Sequence, residues 1–164
     1  MTAPALLLTV YGTPAPQGSK NRNAHGALYE SSAAVKPWRE AVKTAALDAL
    51  HHDDGWVALD GPVWLDVQFS LRRPKSHYGT GKNAGRLKAS APPYPTTTPD
   101  LDKLVRSTQD ALKDAGVVSD DSVVASLSAT KVYVLWGDSL RTPGAVIKLW
   151  RLNDFLKEPT SCPS

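Results

Sequence analysis

The chain has 164 residues, of which 41% are hydrophobic and 21% charged, and it carries a formal net charge of +3. This composition is ordinary for one soluble globular domain. No apolar run approaches the roughly 18 residues of a membrane-spanning helix, and the start of the chain lacks the basic region of a signal peptide. We therefore expect no membrane association and a cytoplasmic location. The single cysteine, Cys162, leaves no disulfide framework and no thiolate metal site.

Hydrophobic periodicity predicts the first three elements of the fold. A strand is expected over about residues 5–11, and a polar loop follows it. A helix comes next, because Trp38, Val42 and Ala46 recur at helical spacing and form one apolar face, and either Ser31 or Ser32 can cap its start. Apolar and polar residues then alternate from Val63 to Arg72, which is the period of a half-buried strand.

The second half of the chain predicts one more helix and two strands. The helix is expected from about Leu101 to Asp114, because Leu104, Val105 and Leu112 recur at helical spacing, and Gly116 is its C-terminal stop. Strands over about 123–136 and 145–152 follow. The order β-α-β-α-β-β predicts a two-layer α+β domain, in which a mainly antiparallel sheet carries both helices on one face. We expect one domain over residues 1–154 and a disordered tail over 155–164.

No acidic residue occurs between Asp66 and Asp100. Residues 73–99, here called the basic arm, are rich in glycine and proline and are predicted to form a flexible loop before the second helix. Such a segment suits the neutralisation of DNA phosphates, and a solvated loop is the alternative. The basic residues concerned are Arg72, Arg73, Lys75, Lys82, Arg86 and Lys88, together with Lys20 and Arg22 in the loop after the first strand.

Four acidic residues flank the second helix. Asp100 and Asp102 bracket its first residue, and they point the same way if the chain enters the helix extended. Asp120 and Asp121 follow the helix, and a chain leaving through Gly116 can run back toward the helix start, where the carboxylates would meet. Carboxylate oxygens are ligands that Mg²⁺ prefers, and this ion can activate a water molecule beside a phosphodiester.

The same spacings also have purely structural explanations. Asp100 can be a helix cap, and Asp102 can pair with Arg106 one turn later. Asp120 and Asp121 can be turn residues before a strand. Spacing by itself leaves both interpretations open.

The segment GTGKNAG lacks the first glycine and the final Ser or Thr of a phosphate loop, so we expect no nucleotide cofactor.

The residues around the acids resemble a known family. The segment PDLDKLVRSTQDALKDAGVVSDDSVV is similar to the signature of the RusA-type Holliday-junction resolvases, which are widespread in phages and prophages. The segment PAPQGSKNR also resembles the basic N-terminal loop of that family. The matching residues of the signature are Asp100 to Leu104, Arg106, Asp110 to Leu112, Ala115, Gly116, Asp120 and Asp121.

The resemblance implies a homodimeric endonuclease that nicks two opposed strands of a four-way DNA junction in recombination and repair. It implies dependence on Mg²⁺, with Mn²⁺ as the alternative ion, and the cytoplasm of a bacterial host if a phage encodes the protein. Two other functions remain open from the residues alone. One is a non-catalytic DNA-binding module with structural acids, and the other is a flap or general nuclease on the same scaffold.

The resemblance also assigns roles to individual residues. Asp100, Asp102 and Asp121 match the metal-binding carboxylates, and Asp120 matches an adjacent supporting acid. Arg106 stands where the family usually has a catalytic lysine, and Lys103 replaces the usual asparagine. Because arginine is a poor proton donor, we expect Lys103 to supply part of the missing ammonium function. The DNA backbone would be held by Lys20, Arg22, Arg72, Arg73, Lys75, Lys82, Arg86 and Lys88.

Overall fold

The computed structural model describes residues 2–18, 20–22, 28–30, 33–135, 137 and 139–156. In these ranges the chain forms the strands β1 (Leu6–Tyr11), β2 (Lys20–Arg22), β3 (Leu28–Glu30), β4 (Val63–Leu71), β5 (Val124–Tyr133) and β6 (Gly144–Arg151). The helices are α1 (Val35–His51) and α2 (Leu101–Asp114). None of the helices in this part of the chain is long and apolar enough to cross a lipid bilayer.

The main sheet has four strands in the order β1-β6-β4-β5. β6 is antiparallel to both β1 and β4, whereas β5 is parallel to β4. The parallel pair follows from the connection between its strands, because the basic arm and α2 together form the long crossover that parallel strands require. A mainly antiparallel sheet was predicted, and the structure confirms it.

Both helices pack on the same face of this sheet. The inward residues of β4, such as Leu65 and Phe69, share one core cluster with Trp38 of α1 and Leu104 of α2. A buried polar contact also joins the helices: the indole Nε1 of Trp38 donates to the hydroxyl of Thr108 over 3.2 Å. The predicted two-layer α+β architecture is therefore confirmed.

The helix bounds follow local sequence signals closely. α2 covers the predicted residues, and Gly116 ends it with a positive φ of 75° that a residue with a side chain rarely adopts. α1 begins after Ala34, which makes no side-chain cap. Ser31 and Ser32, the predicted caps of α1, lie outside the described residues.

Three details of the strands differ from the prediction. β2 and β3 form a short antiparallel pair within the loop that was expected to be irregular. β5 ends at Tyr133, before the predicted residue 136, because the chain turns at Leu135 with a φ of 63°. β6 covers Gly144–Arg151, one residue earlier than predicted at each end.

The sheet face opposite the helices carries an aromatic cluster. Trp64 of β4 stacks on Trp150 of β6 with ring centroids 4.4 Å apart. Residues 152–155 form a 3₁₀ turn, which brings the ring of Phe155 to 6.2 Å from that of Trp64. Residue 155 was assigned to the tail, and it lies against the sheet; residues 157–164 of that tail lie outside the described part of the chain.

Candidate active site

Asp100 and Asp102 lie at the N-terminal end of α2. Asp100 has an extended backbone, and its carbonyl accepts the first helical hydrogen bond, from the amide of Leu104 over 3.1 Å. Asp102 occupies the first turn and is exposed. The positive end of the helix dipole favours negative charge at this point. Both carboxylates therefore lie at one exposed end of the helix.

Lys103 neutralises part of this charge. Its Nζ lies 3.0 Å from a carboxylate oxygen of Asp100, and this hydrogen bond and charge raise the pKa of Lys103 above its ordinary value. The Asp100 side chain makes no helix-capping hydrogen bond, and Asp102 forms no ion pair with Arg106 within the described structure. Asp100 therefore holds the N-cap position through its backbone, and its side chain pairs with Lys103 instead of capping the helix.

The second acid pair lies at the opposite end of α2. Asp120 forms a close ion pair with Lys113, in the last turn of the helix, and Asp121 lies 4.0 Å from the same ammonium. Asp120 also accepts hydrogen bonds from the amide and the hydroxyl of Ser122. The bond from Lys113 and then those from Ser122 hold the pKa of Asp120 well below its usual range. Asp120 is thus a structural turn residue, whereas Asp121 is exposed.

The two acid pairs do not meet within one chain. α2 has 14 residues, so its ends are about 20 Å apart at 1.5 Å per residue. In the described ranges, no three His, Cys, Asp or Glu residues lie close enough together to hold a metal ion. The prediction that the chain returns to the helix start before Asp120 is therefore wrong for a single chain.

The path after α2 gives the physical reason. The chain leaving Gly116 pairs with an earlier segment instead, as the amide of Leu59 donates to the carbonyl of Val117 over 3.0 Å. The chain then enters β5 while still at the Asp121 end of α2. β5 runs back along the helix, and the side chain that arrives beside Asp100 is Lys131, whose Nζ donates to the carbonyl of Pro99 over 2.9 Å.

Sequence reasoning did not identify Lys131. A signal was present, since Lys131 continues the alternation of Leu127 and Ala129, at a position where an apolar residue is expected. In the structure this position pairs with the buried Phe69 of β4. A charged residue at such a position needs a polar partner. The backbone carbonyls before Asp100 are those partners.

The N-terminal loop packs beside the Asp100 end of α2. The amide of Gln17 donates to the carbonyl of Lys103 over 3.0 Å, and the hydroxyl of Ser107 donates to the carbonyl of Ala15 over 2.7 Å. These contacts bring the chain segment that leads into β2 next to the acids. Lys20 and Arg22 belong to β2, and their side chains lie outside the description.

The remaining basic residues fall into two groups. Arg73 is only 8% exposed, and its guanidinium carbon lies 3.9 Å from the ring centroid of Tyr133. Arg106 is exposed on α2. The other predicted DNA-binding residues of this region are exposed as well, and they are Arg72, Lys75, Lys82, Arg86 and Lys88.

Comparisons with known proteins agree with the resemblance. Residues 11–147 match the model of a protein family described as endodeoxyribonuclease RusA. A Bacillus subtilis (strain 168) protein, named uncharacterized protein YqaN, is 32% identical over 130 residues, which cover 76% of this chain and 85% of that protein. The family match spans most of the chain and includes both acid pairs and the basic arm. The chain therefore belongs to the RusA family of endodeoxyribonucleases, which are Holliday-junction resolvases.

Proposed function

We propose that this protein is a homodimeric, Mg²⁺-dependent endonuclease that cuts two opposed strands of a four-way DNA junction during recombination and repair in a bacterial cytoplasm. The observation that carries the proposal is the division of the signature acids between the two ends of α2. A nuclease of this family needs its acids together, and a second copy of the chain can supply the missing half.

The donor set at the Asp100 end fits a hard divalent cation. Asp100 and Asp102 offer exposed carboxylate oxygens two residues apart, and Mg²⁺ often binds through one or two carboxylates while it keeps several water ligands. A bound ion would supply an activated water and would stabilise charge on the phosphodiester. Asp121 is the third proposed ligand, and Asp120 would hold its turn in place.

The same division of acids supports a homodimer with two-fold symmetry. If the α2 helices of two copies lie antiparallel, Asp100 and Asp102 of each copy come beside Asp121 of the other. The symmetry produces two equivalent sites, which suits the cutting of two strands.

The surface beside α2 suits this contact. β5 is an edge strand, and an unpaired edge is a template for pairing with another strand. Between β5 and α2 runs an open groove that includes Leu101, Val105 and Leu127. Leu127 is 49% exposed although it lies on the inward-facing side of β5, opposite Leu65 of β4. We infer that this groove is the dimer interface.

The basic residues near the acids have separate proposed roles. Arg106 is exposed one turn after Asp102 and can clamp the scissile phosphate. Lys103 stays protonated beside Asp100 and would take part of the role of the usual family lysine. Arg73 is buried, so we assign it to the support of the arm. The DNA backbone would be held by Lys20, Arg22, Arg72, Lys75, Lys82, Arg86 and Lys88.

Cleavage of a synthetic four-way junction tests the proposal. The protein should cut the junction with Mg²⁺ and not with EDTA, and Asp102→Asn should bind the junction with unchanged affinity and leave it uncut. A matched control is Asp114→Asn, which changes an acid at the other end of α2 that pairs with Arg39 and should cut normally. Undiminished cutting by Asp102→Asn would falsify the metal-site assignment.

The same assay separates the alternatives. A DNA-binding module would bind the junction and never cut it under any metal condition. A flap or general nuclease would cut flaps or single strands at least as fast as the four-way junction. Cleavage rates measured side by side on the four-way junction, the flap and the single strand therefore decide between these functions.

A further inference from the structure

The basic arm is folded back on itself as a hairpin. Tyr78 and Leu87 form an antiparallel bridge, and the amide of Gly79 donates to the carbonyl of Arg86 over 2.8 Å. Residues 80–90, at the tip of the hairpin, are all exposed. The basic side chains of this tip are Lys82, Arg86 and Lys88. They are therefore carried by one hydrogen-bonded unit, which has more structure than the predicted flexible loop.

The beginning of the arm is fixed to the C-terminal end of β5. The buried guanidinium of Arg73 stacks on the ring of Tyr133, and its Nη1 donates to the carbonyl of Pro92 over 2.8 Å. The ring of His77 meets the same tyrosine edge-on, with centroids 5.6 Å apart. Tyr133 itself is only 3% exposed. These contacts join two distant parts of the arm to one buried ring.

The end of the arm is fixed to the same strand two residues earlier. The ammonium of Lys131 donates to the carbonyls of Thr97 and Pro99, each over 2.9 Å. Hydrogen bonds from a charged donor are stronger than those between neutral groups. The carbonyl of Pro99 belongs to the peptide group that continues into Asp100, so Lys131 fixes the backbone immediately before the first acid.

We propose that β5 clamps the basic arm at both ends, and that Lys131 and Tyr133 are positioning residues that set the distance between DNA held by the arm and the acids at Asp100 and Asp102. The inference rests on the proposed function for its catalytic consequence. It differs from that function in its residues, since Lys131 and Tyr133 contact the arm itself and have no proposed role in binding DNA or metal. Lys131 acts on the placement of Asp100, and Tyr133 acts on the placement of the hairpin.

Lys131→Met tests the clamp at the Asp100 end, because methionine keeps the length of the side chain and removes its hydrogen bonds. Misplacement of a reacting group by about 1 Å costs on the order of a hundredfold in rate, so kcat should fall by about tenfold to a hundredfold. Junction binding in Ca²⁺ and KM should stay near the wild-type values. Lys131→Arg keeps charged donors and should recover much of the lost kcat, whereas Lys36→Met, an exposed lysine on α1, should behave as wild type. An unchanged kcat in Lys131→Met, or a change confined to KM, would overturn the proposal.

Limited trypsin digestion tests the other clamp without relying on nuclease activity. Tyr133→Leu removes the ring beneath Arg73, so the folded protein should be cut faster at the arm lysines and arginines than wild type, while Tyr133→Phe keeps the ring and should resist as wild type does. Equal digestion of the Leu and Phe variants would overturn the clamp, even if Lys131→Met failed to fold. If Tyr133→Leu is digested faster while the wild-type protein cuts no DNA, the clamp stands and the proposed function is rejected instead.

Discussion

The two ends of α2 carry the same kind of residue in different surroundings. At the Asp121 end, Lys113 and Ser122 engage Asp120 so completely that its pKa falls well below the usual range. At the Asp100 end, Lys103 is the one basic residue in the described ranges that pairs with an acid, and Asp102 stays exposed. One end thus holds a turn together, while at the other end Asp102 has no ion pair among the described residues. This difference is why we propose that one chain supplies only part of the metal site.

The largest effect is expected from Asp121, the exposed member of the Asp121 end. Asp121→Asn removes a proposed metal ligand while it keeps the shape of the side chain. Because a bound ion supplies several kcal/mol of transition-state stabilisation, junction cleavage in Mg²⁺ should fall by roughly a thousandfold or more. Cleavage rates at saturating enzyme measure this, with junction binding as the control. A loss of less than about tenfold would show that Asp121 is not a ligand.

The comparison predicts that dimer formation and cleavage both depend on the groove between β5 and α2. Leu127→Arg places a charge in the proposed interface, and an unpaired buried charge should weaken the dimer by about a hundredfold or more. Analytical ultracentrifugation should then show monomers at concentrations where wild type is dimeric, with loss of cleavage. Leu7→Arg, at an exposed leucine of β1, is the matched control and should remain dimeric. A dimeric, active Leu127→Arg protein would place the interface elsewhere.

A smaller effect is expected from Asp120, which we propose to support the turn and not to bind the metal. Asp120→Asn weakens the contacts to Lys113 and Ser122 and lets Asp121 shift. Changes in such supporting groups typically cost about tenfold to a hundredfold in activity, so cleavage should drop by that amount, and raised Mg²⁺ should restore part of it. A loss equal to that of Asp121→Asn would contradict the division of roles between the two neighbours.

The smallest effect on the catalytic rate is expected from the arm tip. Replacing Lys82, Arg86 and Lys88 by glutamine removes three proposed phosphate contacts but leaves the acids in place. The slope of log K against log salt concentration should become shallower by about 2.7 on duplex arms, with cleavage at saturating enzyme little changed. An unchanged salt slope would remove the tip from the DNA-binding surface.

Local patterns predicted the elements of this protein well. The spacing of Leu104, Val105 and Leu112 and the stop at Gly116 predicted α2, and alternation predicted β4. These signals succeed because each depends on residues a few positions apart. The resemblance supplied the site residues, which spacing had left undecided between a metal site and structural roles.

The failures concern contacts between distant residues. Nothing near Asp120 in the sequence shows that Val117 pairs with Leu59 and keeps the second acid pair away from the first. The hairpin of the basic arm depends on backbone hydrogen bonds, which leave no hydrophobic period. Its anchor joins Arg73 to Tyr133, 60 residues later. Charge alone therefore assigned Arg73 to DNA, whereas the structure buries its side chain against Tyr133.

Complementation between two inactive variants tests the central claim, that each active site combines the Asp100 end of one copy with the Asp121 end of another. Asp102→Asn and Asp121→Asn are purified separately, and each homodimer should fail to cut. After the two variants are mixed and their subunits exchange, each heterodimer contains one site with all its acids and one site that lacks both Asp102 and Asp121. A cruciform plasmid should therefore be converted to nicked circles but not to linear DNA. If native mass spectrometry shows the heterodimer and no nicking returns, the shared-site account is contradicted.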